Sequence, residues 1–441
     1  MTSATHFDFD LSLDLDSFRS GVARRGYLTE LRGTLLRGAV PDAALGDICR
    51  IHTADGKGLA AEIVGFDREV ALLMPLGVLA GIRAGAEIEP LPEAAIVPVG
   101  DRVQGRVIDA LGRPLDGHRY GPLADGESAP LLAEPPNPLD RAPIERALAT
   151  GVRAIDGLLT VGVGQRMGIF AAAGCGKSTL LSMIARNVQA DRVVLALIGE
   201  RGREVRGFLE DDLGEEGLAR STVVVSTADQ PALLRLRAAW TATAIAEAAR
   251  ARGERVVLMM DSVTRFARAL REIGLAAGEA PGRQGYPPSV FAALPRLFER
   301  VGNDERGSIT AFYTVLVAGD DLEEPVADEV MSLLDGHVIL SRDLAARAHY
   351  PAIDVTRSKS RVMDAVVPAE QREQAAWVNR VLAHHERHED KIAMGLYEPE
   401  SREDRDLVAA HPRVMAWLAQ RRDDPTGLER SRSDLARLSK G

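Results

Sequence analysis

Hydrophobic positions change their spacing along the chain, and each change predicts a different kind of structure. Between Gly26 and about Pro92, apolar and polar residues alternate in short runs, such as residues 27–35 and 58–66, separated by Gly, Asp and Pro. Alternation at period two gives a strand one buried face, and many short strands with turn residues between them predict a small β-barrel. Farther on, residues 192–198, 221–226, 255–260 and 308–316 are apolar almost throughout. Strands without a polar face are covered on both sides, and Ala- and Arg-rich helical stretches such as residues 231–250 lie between them. This order of elements predicts a parallel α/β centre. From about Val367 the apolar residues take helical spacing among many charges, as in residues 371–395 and 404–422, which predicts a small α-helical domain. Residues 7–16 alternate apolar with mostly acidic side chains. That pattern fits an added strand or an acidic arm, and the arm is the expectation. The predicted boundaries are therefore a flexible arm 1–21, a β-barrel domain 22–95, a central domain 96–366 and a helical domain 367–441. A Pro-rich connector, residues 133–143, leads into the centre.

Composition narrows the function classes. A chain of 441 residues is too long for one ordinary core and suits two or three domains. Its first residues lack the basic start and apolar centre of a signal peptide, and no apolar run approaches the ~20 residues of a membrane span. A soluble cytosolic protein is expected, with any membrane contact peripheral. Two cysteines, Cys49 and Cys175, cannot build a disulfide framework. The net charge of −10 works against a nucleic-acid partner, and Tyr27 and Phe66, the aromatics of residues 26–92, are a poor platform for stacked bases.

The strongest chemical signal is at residues 166–179, an apolar strand feeding Gly174-Cys-Gly-Lys-Ser-Thr179 and then a helical pattern. Gly174 and Gly176 let backbone N–H groups converge on phosphate oxygens, Lys177 adds a mobile positive charge, and the Ser178 hydroxyl can ligate Mg2+. The phosphate then sits at a helix N-terminus. Ala171 stands where the strict pattern has Gly, a substitution of one small residue for another. Cys175 inside this loop is read as a small filler rather than a redox group.

Three further positions bear on the same chemistry. Asp261 ends an apolar strand, at the carboxyl edge where open α/β sheets place their ligands, and its carboxylate can hold Mg2+ through water. Glu200 follows a second strand onto the same edge, where it can orient an attacking water, although Glu is also favoured in any first helical turn. Arg361 closes a polar segment expected just beyond the sheet, from which it can reach a neighbouring subunit's nucleotide. Spacing alone favours a solvated arginine. His384, His385 and His388 include a helical pair at a spacing metals use, but without a third ligand the face is read as solvated.

Taken together, the phosphate loop, residues 199–205, residues 261–268, residues 285–291 and residues 351–360 resemble the export ATPases of type III secretion systems. These are related to the catalytic subunits of rotary ATP synthases, and residues 351–360 carry the whole of the shared P-[SAP]-[LIV]-[DNH]-x-x-x-S-x-S signature. The resemblance covers about residues 22 to 420, including residues 109–117 and 334–342. It implies an α/β, P-loop RecA-like central domain with an N-terminal β-barrel and a small C-terminal α-helical domain. It also implies hydrolysis of ATP with Mg2+ by a homohexamer. Glu200 then takes the place of the catalytic glutamate and Arg201 of its neighbouring arginine. Lys177 and the loop from Gly174 to Thr179 hold the phosphates, Ser178 and Asp261 the metal. Arg361 matches an arginine finger for the adjacent subunit, and Tyr350 the aromatic packed on adenine. Implied partners are a peripheral stator protein, a coiled-coil central stalk protein, chaperone-effector complexes and the export apparatus at the inner membrane. The residues 171–176 look more like injectisome members than flagellar ones. A flagellar export ATPase or a rotary synthase subunit is the alternative. A non-catalytic nucleotide-binding subunit and an RNA translocase are disfavoured by Glu200 and by the acidic balance.

Overall fold

The alternating N-terminal residues close on themselves. A computed structural model describes residues 25–91, 96–319 and 321–440, so the predicted arm 1–21 lies outside the described residues. The described residues fall into two compact units, divided between residues 94 and 95. In the first, β1 (Gly26–Arg32), β2 (Leu35–Ala39), β3 (Ile48–Ile51), β4 (Leu59–Asp67), β5 (Val70–Pro75) and β6 (Glu87–Leu91) form a closed barrel. Its strand order is β1-β2-β5-β4-β3-β6, and every pairing is antiparallel. Along β4, Leu59, Ala61 and Ile63 point inward while their neighbours are less buried. Ala61 and Ile63 meet Leu36, Cys49, Ile51, Leu73 and Ile88 in one core. Burial pushes the Cys49 thiol up to about 11, which leaves it a protonated packing group. Tyr27 and Phe66 stand outside this core, 57% and 45% exposed.

The second unit is built on a parallel sheet. From one edge its strands run Gly336–Leu340, Arg166–Ala171, Ser308–Leu316, Arg255–Asp261, Arg192–Glu200, Ser221–Thr227 and Val107–Asp109. The four apolar runs of the sequence are four of these strands, and their side chains are almost entirely buried. Beside Gly336–Leu340 lies one more strand, Ile353–Ser360, which runs antiparallel. This corrects the expectation that the polar segment ending at Arg361 lies beyond the sheet. Only Ile353 and Val355 turn inward there, while Thr356, Arg357 and Lys359 face solvent, as an edge strand covered on one side requires.

The charged C-terminal stretch forms helices Ala369–Ala393, Arg402–Leu418 and Leu428–Lys440. The last was not legible as a helix, because few of its residues are apolar, yet Leu435 is fully buried. These helices share a core with the short helix Arg153–Leu158. Trp417 packs so closely on Gly157 that a β-carbon there would lie 2.8 Å from the indole ring. Gln371 Nε2 donates to the carbonyls of Asp156 and Gly157, both at 3.1 Å. His384, His385 and His388 are packed rather than solvated, which corrects that reading. His384 Nε2 lies 2.7 Å from the Tyr397 hydroxyl, and the His385 ring stacks on His411 at 3.5 Å.

Candidate active site

A parallel sheet delivers all its strand ends to one edge, and here three of them carry the chemistry. Arg166–Ala171 runs into a turn at Gly174 and Gly176, both at φ 84°, a region that favours glycine. Nothing lies within 4 Å of where a Gly174 β-carbon would be, so the cradle is open. Helix Lys177–Asn187 follows, and its N-cap, Gly176, has no side chain to satisfy the first N–H groups. Those donors and the positive end of the helix dipole suit an anion.

The Lys177 ammonium bonds Asp261 Oδ1 and stands 3.8 Å from Glu200 Oε1. Asp261 ends its strand 4% exposed and also accepts from Thr314 Oγ1 at 2.8 Å. Glu200 ends the adjacent strand. Burial, and then the Asp261 carboxylate, raise the Glu200 carboxyl above its ordinary value, with Lys177 pulling the other way. Its Oε1 is buried without a hydrogen-bond partner. A second buried orphan, Arg265 Nε, lies nearby: the Arg265 stem would meet a β-carbon on Gly199 at 3.2 Å. Neither Thr314 nor Arg265 was singled out in the sequence. For Arg265 the available signal was its position four residues past Asp261, on the helix that follows.

Beside the cradle, a cavity of about 730 Å³ is lined by Gly176, Thr179, Leu180, Met183, Tyr350 and Gln420, among others. Its volume and apolar walls suit a nucleoside. The Tyr350 ring approaches the β-carbon position of Gly176 to 3.5 Å and so joins cavity to cradle. Ser178 is exposed at the helix start, where its hydroxyl is accessible, whereas Cys175 is 2% exposed and packs into the core. The hydroxyl and the Asp261 carboxylate are hard oxygen donors beside a phosphate cradle, which fits Mg2+. Among the described residues there is no cluster of three His, Cys, Asp or Glu arranged to hold a metal by themselves.

Two of the sequence-predicted residues are not drawn into this cluster. The Arg201 side chain is 74% exposed and pairs with Glu204 at 3.4 Å. Arg361 is exposed, and its N–H donates to the Asp335 carbonyl at 2.9 Å, beside the start of strand Gly336–Leu340. Ile353 pairs with Leu340 at the carboxyl edge and Ser360 with Gly336 at the amino edge. The 8-residue edge strand between them, at ~3.3 Å per residue, holds Arg361 far from its own chain's Lys177.

Models of known families match the chain over most of its length. Residues 32–92 match the β-barrel domain of the ATP synthase alpha/beta family and residues 151–360 its nucleotide-binding domain. Residues 367–437 match the C-terminal domain of the type III secretion ATPase EscN. A type 3 secretion system ATPase of Xanthomonas euvesicatoria is 52% identical over 390 residues, 88% of either chain. The chain belongs to the type III secretion ATPases. A flagellum-specific ATP synthase of Bacillus subtilis (strain 168) is 48% identical over 432 residues, 97% of this chain and 98% of its own. The assembled EscN of enteropathogenic E. coli superposes with a TM-score of 0.88 at 42% identity, covering 94% of this chain and 99% of that one. EscN in complex with its central stalk EscO gives 0.86 over the same shares. The family makes the chain an ATPase of protein export. No helix among the described residues is long and apolar enough to cross a membrane.

Proposed function

We propose that this ATPase works as a homohexamer that hydrolyses Mg-ATP to release chaperones, unfold cargo and drive export through a type III secretion system of the injectisome kind. One observation carries the reading. Lys177, Glu200 and Asp261 converge at the phosphate cradle, while Arg361 of the same chain stands at the opposite sheet edge. A chain that carries both halves of a site at opposite edges completes it with a second copy of itself.

Lys177 leaves Asp261 for the phosphate oxygens when ATP enters, and the amides from Gly174 to Thr179 hold the phosphates in line. Glu200, whose Oε1 has no partner, orients the water that attacks the γ-phosphorus and accepts its proton. Arg361 of the adjacent protomer balances charge on the equatorial oxygens, and Arg201 completes the rim beside Glu200. The Ser178 hydroxyl and the Asp261 carboxylate would hold Mg2+, which would supply neutralisation of the phosphate charge. Adenine packs on Tyr350.

The solved complex of EscN with EscO supports a coiled-coil central stalk protein as a partner. A stator protein, chaperone-effector complexes and peripheral contact with the export apparatus at the inner membrane complete the proposed setting, without nucleic acid. The form of residues 171–176 and the EscN C-terminal match favour the injectisome. The Bacillus flagellar relative at 48% identity supports a flagellar system as the second reading. Deletion of the gene followed by complementation decides between them: loss of effector secretion with motility intact supports the first, and loss of motility the second. A Lys177→Ala chain should restore neither.

Two measurements probe the site itself. Because kcat/KM reports groups of the free enzyme and Glu200 must be ionised to accept a proton, its acid limb should lie above the ordinary carboxylate range. A limb at or below that range contradicts the assignment. Asp261→Ala should raise the Mg2+ concentration needed for half-maximal hydrolysis by about 10- to 100-fold, which a magnesium titration at fixed ATP reads directly.

A further inference from the structure

We infer that Gln420 is the positioning residue of the base cavity, a strut that holds Tyr350 and the turn opposite it at a fixed separation and so sets the affinity for ATP. Its side chain is 6% exposed although it lies in the turn that follows helix Arg402–Leu418. Every hydrogen-bonding group of the amide is engaged by backbone. Oε1 accepts from the Arg153 N–H at 2.8 Å, and Nε2 donates to the Gly151 carbonyl at 2.9 Å and the Asp424 carbonyl at 2.8 Å. With both Nε2 hydrogens spent on backbone carbonyls and Oε1 turned to the Arg153 N–H, the amide acts through what it holds in place.

It holds both walls of the cavity. The Gln420 backbone N–H donates to the Tyr350 carbonyl at 2.9 Å, tying the residue that carries the aromatic wall to the turn. On the other wall, Ala419, Arg421, Arg422 and Asp423 line the cavity, and the bond to Asp424 closes that turn around the amide. The anchor below is the start of helix Arg153–Leu158, where Arg153 Nη1 also donates to the Trp417 carbonyl at 2.6 Å. Base cavity, C-terminal helical domain and the approach to the phosphate strand thus share one buried amide. Buried polar groups that lose their partner are costly, so without the strut the turn is released to rearrange and re-solvate. The phosphate cradle, held by other contacts, stays as it is.

The inference rests on the reading that adenine packs on Tyr350, and the test separates the two. MgATP hydrolysis by the full-length assembly is measured for wild type, Gln420→Met, Gln420→Glu and Tyr350→Ala. Gln420→Met keeps the length of the side chain and removes its hydrogen bonds. It should raise KM about tenfold with kcat at saturation changed less than twofold, and Gln420→Glu, which sets a buried carboxylate oxygen against the Gly151 and Asp424 carbonyls, should raise KM at least as much. Tyr350→Ala should raise KM as well. If Gln420→Met leaves KM unchanged, or lowers kcat as much as kcat/KM, Gln420 is an ordinary structural residue and the inference fails while the base reading stands. If Tyr350→Ala leaves KM unchanged, the base does not lie on Tyr350, and both fail.

Discussion

Glu200→Gln is expected to lower kcat by about 10³-fold, within the range that a positioned general base contributes, while MgATP still binds with near wild-type affinity. Gln keeps the volume at the strand end and loses the charge that accepts the proton of the attacking water. The carboxylate it replaces is half-buried, close to Asp261 and short of a hydrogen bond on its buried Oε1. This arrangement also predicts a change in stability. A carboxyl whose folded pKa is raised supports folding below its unfolded pKa, and that support is lost as pH rises through the folded value. At neutral pH the ionised Glu200 is therefore a cost to the fold. Glu200→Gln should melt at a higher temperature than wild type near pH 7.5, and the difference should disappear in acid. Retention of full hydrolysis by the variant would instead favour a non-catalytic nucleotide-binding role.

Arg361→Ala carries the second large effect, an expected loss of about 10³ to 10⁵ in kcat, the range associated with an arginine finger. Its own-chain contacts are slight: the guanidinium reaches the Met331 carbonyl at 3.4 Å and is otherwise exposed. Removing it should therefore leave the melting temperature within about 1 °C of wild type, as for most exposed positions. Assembly, followed by light scattering, should be unchanged. Activity lost without loss of fold or assembly distinguishes a finger from a surface arginine.

The parts of this site legible in the sequence are those whose chemistry follows directly from a local pattern. Lys177, Glu200 and Asp261 each stand at the end of an apolar run, and parallel strands bring such ends to one edge, so their convergence follows from the pattern itself. What the pattern hid depends on contacts between distant residues. Thr314 reads as one more residue of an apolar strand until that strand is placed beside Asp261. Gln420 lies 267 residues from Arg153, and nothing in its neighbourhood marks it as buried. The edge strand Ile353–Ser360 escaped because one-sided burial leaves it mostly polar, and helix Leu428–Lys440 because a few leucines suffice to anchor it. Arg361 was legible as exposed, but its distance from Lys177 on the same chain follows from the antiparallel direction of that edge strand.

That separation makes the shared site the central claim, and subunit mixing tests it most directly. Arg361→Ala chains and Lys177→Ala chains, each inactive alone, are mixed, allowed to exchange and assayed for MgATP hydrolysis at a fixed total concentration. Some interfaces then pair an intact Lys177 on one protomer with an intact Arg361 on the next, so hydrolysis should reappear and reach its maximum near equal proportions. If the mixture stays as inactive as its components although exchange has occurred, Arg361 does not complete a neighbour's site, and the account is wrong.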